Sequence, residues 1–170
     1  GMGKGAENGI LIKSGEALET THHVKTILFD KTGTITKGKP VVTDIILAEN
    51  MDRNFLLFLA ASAEKASEHP LGEAIVKEAE IVGIDLVEPS IFESFSGLGV
   101  NAILKGTEVS LGNEEFFKQL NIDISKFKLI SDNLVSKGKT PVYIANDRIF
   151  LGIIAIEDTI KPASALAIQK

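Results

Sequence analysis

Two groups of residues have types and spacings that chemistry can use. The first is Asp30-Lys31-Thr32-Gly33-Thr34, which follows an apolar run at 24–29. A buried strand that carries an Asp to its carboxyl end and turns at once through small residues is how open α/β sheets display a reactive group at the sheet edge. A carboxylate so placed can act as a covalent nucleophile and accept a phosphoryl group, and Gly33 lets backbone approach a phosphate closely. The same Asp also serves as a turn former or helix N-cap, bonding backbone N–H groups two or three residues on. The chemical reading gains from the donors crowded around one carboxylate: Lys31, Thr32, Gly33, Thr34 and Thr36. Thr32 cannot transfer protons near neutral pH. A phosphoenzyme on Asp30 therefore hydrolyses slowly unless another group supplies a base, which suits an intermediate meant to persist.

The second group is dispersed. Ser67-Glu68-His69-Pro70-Leu71 has Glu64 about one turn upstream, and Gly97-Leu98-Gly99 and Asn113 follow. An imidazole can stack on a purine, a carboxylate can accept from an exocyclic amine, and a Gly-rich turn can close such a pocket. Each has a plainer reading too. A His before a Pro is an ordinary loop residue, Gly-x-Gly fits any tight β-turn, and Asn113 can simply cap a helix starting at Glu114.

Two other patterns fail on inspection. Gly138-Lys139-Thr140 resembles the end of a phosphate-binding loop, but position 133 is Asn where a Gly is required. Pro141 and a strand then follow instead of a helix, so the helix N-terminus that would hold phosphate is missing. His22-His23 cannot share a helix face, and no third ligand lies nearby in sequence.

The elements that must position these residues follow from periodicity. Ser14 is placed to cap a short helix at 16–19. The Gly/Pro-punctuated run at 36–40 reads as a crossing into a second unit, before an apolar stretch at 41–46. Helical spacing covers 53–66, and a second helix runs from Pro70, a favoured first-turn residue, to 80 or 82, ended by Gly83. Short β-prone runs at 91–96, 99–104 and 107–111 predict an antiparallel meander. Helices at 114–120 and 125–136 follow, then a hairpin of 141–145 and 148–156 around Asn146-Asp147. Asp158 comes after that last strand, and Pro162 begins a final helix. The fold class is α/β, an antiparallel sheet flanked by helices.

Composition limits the function. The chain has 170 residues, 44% of them hydrophobic, enough for a sizeable core. Its apolar stretches at 55–63 and 149–156 fall short of the ~18 residues a membrane helix needs. It has no Cys, so neither disulfides nor thiolate metal sites are available. A formal net charge of -5 argues against nucleic acid, whose phosphates demand clustered Lys and Arg.

Asp30 to Thr36, DKTGTIT, resembles the phosphorylation signature of P-type cation-transporting ATPases. SEHPLGEAIV and GILIKSGEALE narrow the resemblance to the heavy-metal branch, with copper transporters favoured over zinc, cadmium or cobalt ones. The resemblance covers the whole chain. It implies that Asp30 is the phosphorylated nucleophile, supported by Lys31, Thr32, Thr34 and Asp158, with Asp30 and Thr32 contributing part of a Mg²⁺ site. It implies that ATP binds through Glu64, His69, Gly97, Gly99 and Asn113, with His69 on the adenine and Glu64 reading its edge.

The implied layout is a nucleotide-binding domain at 38–153 inserted in an incomplete Rossmann-like phosphorylation domain of the haloacid dehalogenase type, at 1–37 and 154–170. Hinges are expected near 37–40 and 152–154. The chain is then a fragment on the cytoplasmic side of a membrane pump, without direct membrane insertion, and its partners are the membrane, actuator and remaining phosphorylation regions. Such a fragment should bind ATP with little or no phosphorylation. A docking module without nucleotide affinity and a small phosphohydrolase remain as alternatives. Related phosphatases usually carry a second Asp where Thr32 stands, which argues against the last.

Overall fold

The computed structural model describes residues 2–168, and the chain divides into two compact units after Lys31. The first holds helices α1 (Met2–Glu7) and α2 (Gly15–Thr21), neither of which buries a residue. α2 is the short helix expected after Ser14, whose hydroxyl accepts the Ala17 N–H at 3.1 Å. α1 forms despite Gly3 and Gly5. A Lys4–Glu7 ion pair at 3.0 Å and the Asn8 amide donating to the Lys4 carbonyl close that turn.

The stretch at 24–29 departs from expectation more seriously. It forms no strand, and Val24, Ile27, Leu28 and Phe29 are all exposed, Leu28 at 93%. A buried strand needs ladders on both sides, and no strand among the described residues pairs with this one.

In the second unit, β1 (Thr36–Leu47) is followed by helices α3 (Arg53–Glu64) and α4 (Pro70–Val82). The meander β2 (Ile91–Phe95), β3 (Gly99–Leu104) and β4 (Thr107–Gly112) comes next. After it come α5 (Glu114–Gln119), a 3-10 turn (Ser125–Phe127), α6 (Lys128–Ser136), the hairpin β5 (Thr140–Asn146) and β6 (Ile149–Ile160), and α7 (Pro162–Ile168). All six strands form one antiparallel sheet, in the order β1-β6-β5-β4-β3-β2.

Both faces of the sheet are covered, which explains why 149–156 is apolar throughout rather than alternating. Val142, Ile144, Ile154 and Ile156 pack with α3 and α4. Their neighbours Tyr143, Ala145, Ile153 and Ala155 face Phe116, Phe117, Ile122 and Leu134 on the opposite side. The buried Tyr143 hydroxyl is satisfied by Ser131 at 2.6 Å, as burial of such a group requires.

Local signals set the helix ends. The Asp52 carboxylate accepts the Phe55 N–H and starts α3. Gly83, at φ 79°, ends α4 in the left-handed conformation that costs glycine least.

Two expectations shift. The hairpin turns on Asp147-Arg148, one residue later than expected, because Asn146 stays in the ladder opposite Ile149. Both turn residues have positive φ, and the turn is tied down by Asp147 Oδ1 accepting from Glu108 N–H and Arg148 donating to the Leu120 carbonyl. The expected hinge at 152–154 lies instead within β6, which is paired to both β1 and β5. A Cβ on Gly152 would overlap the Ile46 carbonyl oxygen, so the glycine there serves close strand approach rather than bending.

Candidate functional site

Glu64, His69, Gly97, Gly99 and Asn113 come from three separated segments and line one cleft of about 530 Å³, within the range of about 300–1,000 Å³ usual for small-molecule sites. The cleft opens between the α3–α4 connection and the β2–β3 turn, with Gly112 and Val142 contributing from β4 and β5. A larger concavity of about 710 Å³ beside α6 contains none of these residues.

His69 occupies the N-cap of α4. Its Nδ1 accepts the Leu71 N–H at 3.2 Å, so Nδ1 carries a lone pair and Nε2 the proton. The ring is otherwise exposed at the cleft mouth. The cap fixes the ring's orientation and leaves the rest of the ring exposed.

Glu64 ends α3 and is only 8% exposed. Its Oε2 is buried without a hydrogen-bond partner. Burial pushes the carboxyl's pKa upward, opposed by the Ser67 hydroxyl and His69. The carboxylate lies against Gly72, in the first turn of α4, where a Cβ would overlap Glu64 Oε2 and lie 3.1 Å from Ser67 Oγ.

Gly72 and Ser67 were not singled out from sequence. A glycine inside a helical pattern costs about 1 kcal/mol relative to alanine, and that cost is the one available hint of a packing reason. Gly72→Ala should therefore separate two effects. Helix propensity alone stabilises, whereas displacement of Glu64 lowers ligand affinity, on the order of tenfold if one hydrogen bond worth about 1–1.5 kcal/mol is lost. A thermal melt read beside a calorimetric titration measures both.

Opposite Glu64, the chain turns through Gly97 at φ 72°, with Leu98 N–H returning to the Phe95 carbonyl at 2.9 Å. Gly99 and Gly112 face each other in the β3–β4 ladder. A Cβ on Gly99 would overlap the Leu111 carbonyl and lie 2.6 Å from Gly112 Cα. One on Gly112 would come within 2.6 Å of the Leu98 carbonyl. Asn113 is fully engaged: Oδ1 accepts from Phe116 N–H as the cap of α5, and Nδ2 donates to the Gly97 carbonyl. It ties the glycine turn to α5. Phe95, packed at a tilt of 38° on Phe116 with centroids 5.2 Å apart, adds an aromatic wall that was not anticipated.

The other predicted residues are not among those lining the cleft. Asp30 lies in the first unit, exposed, its Oδ1 accepting the Lys31 N–H at 2.8 Å. Lys31–Ile35 winds one π-helical turn, in which Thr34 is exposed and the Thr32 side chain lies outside the described set. Asp158 accepts from the Thr36 hydroxyl and from Lys39 N–H at 3.1 Å. Thr36, 1% exposed, also accepts from Gly33 N–H, and the Lys161 ammonium reaches the Gly33 carbonyl at 2.6 Å. Asp158 and Lys161 thus clasp the segment at 33–39 onto the end of β6.

Among the described residues no three His, Cys, Asp or Glu groups are placed to hold a metal ion; Mg²⁺ itself usually takes only one or two carboxylates together with waters and substrate phosphates. Among the described residues, too, no helix is long and apolar enough to cross a membrane.

Residues 24–170 match the model of the haloacid dehalogenase-like hydrolases. A copper-exporting P-type ATPase from Staphylococcus saprophyticus is 44% identical over 170 residues, all of this chain and 21% of that protein. A solved zinc-transporting PIB-type ATPase superimposes with a TM-score of 0.77 at 35% identity, over 99% of this chain and 27% of that one. The N-domain of HMA6, a copper-transporting P-type ATPase, is 28% identical with a TM-score of 0.55, over 70% of this chain and 99% of that domain. The chain thus spans about a fifth of the length of the curated relatives it matches. It belongs to the haloacid dehalogenase-like hydrolase family, and the relatives it resembles are heavy-metal P-type ATPases.

Proposed function

We propose that the cleft between the α3–α4 connection and the β2–β3 turn binds ATP, and that the chain is the nucleotide-binding portion of a heavy-metal pump. The supporting observation is the convergence of Glu64, His69, Gly97 and Gly99 on one cleft from segments far apart in sequence. His69 offers an aromatic face to the base, Glu64 a polar group to its edge, and the glycines a bare backbone surface for close approach. Asn113 holds that surface in place through Gly97.

In the whole pump, Asp30 attacks the γ-phosphoryl group and becomes the phosphoenzyme, so positioning and electrostatics supply most of the acceleration. On this reading residues 38–153 form the nucleotide-binding domain, with 1–37 and 154–170 belonging to the phosphorylation domain, on the cytoplasmic side. Copper as cargo is supported by the relatives named as copper exporters, and a zinc pump is the competing reading. Mg²⁺ would accompany the nucleotide's phosphates and neutralise part of their charge. ATP binds to the chain alone without turnover.

Calorimetric titration of ATP into the 170-residue chain tests the reading. One exothermic site is expected, and His69→Ala should weaken it by roughly 5- to 150-fold, since stacking of a base on an aromatic ring is worth about 1–3 kcal/mol. No heat with the wild type, or unchanged affinity in His69→Ala, contradicts nucleotide binding and leaves a docking module.

A further inference from the structure

Among the described residues, those lining the cleft include no Lys or Arg. The two helix N-termini that reach it are already capped from within, α4 by His69 on Leu71 N–H and α5 by Asn113 on Phe116 N–H. Phosphates ask for such cations or for open helix N-termini. The lining therefore suits the neutral part of a nucleotide, its base and sugar, and leaves the phosphates toward solvent. Neutral polar groups in the cleft are then the ones to search for a sugar contact.

Several of them are committed. Ser67 Oγ accepts His69 N–H at 3.2 Å, and both ends of the Asn113 amide are bonded. The Thr140 hydroxyl is exposed, and no described residue bonds it. Its position is nonetheless well fixed. Pro141 confines the residue before it to extended backbone. Lys139 is tethered by its ion pair with Asp44 at 2.6 Å and by its N–H on the Leu134 carbonyl at 3.1 Å. Thr140 itself pairs with Ile156 in the β5–β6 ladder. Residues so paired share a face of the sheet, and Ile156 packs in the core with α3 and α4. Strand order puts β5 between β3 and β4, which carry α3, and β1, which carries α4. Thr140 thus stands below the connection that bears His69. The Ser94 hydroxyl is also unbonded, but β2 lies three strand spacings from β5, roughly 14 Å.

We propose that Thr140 is a further nucleotide-binding residue whose hydroxyl bonds a ribose hydroxyl, so that the cleft selects a ribonucleotide over its deoxy analogue. The inference rests on the nucleotide reading above. With the base on His69 and the phosphates toward solvent, the sugar between them lies against the neutral lining that Thr140 shares with Pro141 and Val142. A threonine hydroxyl donates and accepts, as does a ribose hydroxyl, so the pair needs no charge on either side. Because Thr140 is held by the ladder, by Pro141 and by the tethered Lys139, little freedom is lost when it engages the ligand.

The test is calorimetric titration of ATP, 2′-deoxy-ATP and 3′-deoxy-ATP into the 170-residue chain, as wild type, Thr140→Val and Thr140→Ser, with thermal melts alongside. Val keeps the β-branched shape that suits a strand and removes the hydroxyl, whereas Ser keeps the hydroxyl. In the wild type, one of the two deoxy analogues should bind about three- to tenfold more weakly than ATP, the effect of one neutral hydrogen bond. Thr140→Val should lose a similar factor for ATP and no longer distinguish ATP from that analogue, the signature of two groups that contact each other. Thr140→Ser should keep the ATP affinity and the preference within about twofold.

Equal binding of ATP and both analogues to the wild type overturns the proposal without any variant and leaves ATP binding standing. So does a normally melting Thr140→Val protein that binds ATP as the wild type does. A Thr140→Val protein that loses the same factor for ATP and for both analogues assigns Thr140 a structural role and overturns the proposal as well. If Thr140→Val melts early, the wild-type comparison and Thr140→Ser decide: a lost preference in Thr140→Ser contradicts the contact, and a kept one supports it. Absence of heat with ATP in the wild type overturns the nucleotide reading itself, and the inference with it.

Discussion

Gly99→Ala should lower the melting temperature of the chain and weaken ATP binding together. The new methyl group overlaps the Leu111 carbonyl and sits 2.6 Å from Gly112 Cα and 2.8 Å from a ring carbon of Phe116. Two of these three are backbone atoms of the facing strand and cannot rotate aside. The ladder must therefore open where Gly99 pairs with Gly112, and that pair lines the cleft. Overpacking of this kind costs about 1–3 kcal/mol, or about 2–4 °C of melting temperature per kcal/mol for a chain of this size. Gly152→Ala is the control. Its methyl overlaps the Ile46 carbonyl just as severely, yet Gly152 is outside the cleft lining. It should destabilise comparably and leave ATP affinity within about twofold, an effect of less than about 0.5 kcal/mol. Equal losses of affinity in both variants would mean that Gly99 acts only through stability.

The second large effect is expected in the whole pump rather than in this chain. Asp30→Asn keeps the shape of the side chain and removes the nucleophile, so phosphoenzyme formation and ATP-driven transport should fall on the order of a thousandfold or more. ATP affinity should change by less than about threefold, since Asp30 is not among the cleft residues and uniform binding is separable from chemistry. On the reading that the 170-residue chain binds ATP without turnover, its incubation with labelled ATP should give no phosphate on Asp30. Labelled phosphate recovered at Asp30 would refute that part of the account.

Features set by near neighbours were readable in the sequence. Ser14, Pro70, Gly83, Asn113 and Pro162 mark helix ends through local backbone chemistry, and each helix begins or ends where those residues place it. The meander was readable because Gly97 and Lys105-Gly106 interrupt alternating runs.

Contacts decided at long range were not readable. Gly72 looks like a poor helix residue until Glu64 is folded over it. Phe95 looks like a core residue until its ring forms a cleft wall against Phe116. Thr36 stood out only as one donor in a run, whereas burial makes it the residue that receives Gly33 and holds Asp158. The stretch at 24–29 misled for the same reason, since its composition fits a buried strand and no partner strand is present among the described residues.

Chemical-shift mapping of the 170-residue chain during titration with ATP tests the central claim most directly. The largest amide shifts should fall on Glu64, Ser67, Gly72, Gly97, Gly99 and Gly112, with little change at Asp44, Leu129 and Lys137 around the larger concavity. Saturable shifts confined to the concavity beside α6, or no shifts at all, would contradict the assignment of the cleft as the nucleotide site.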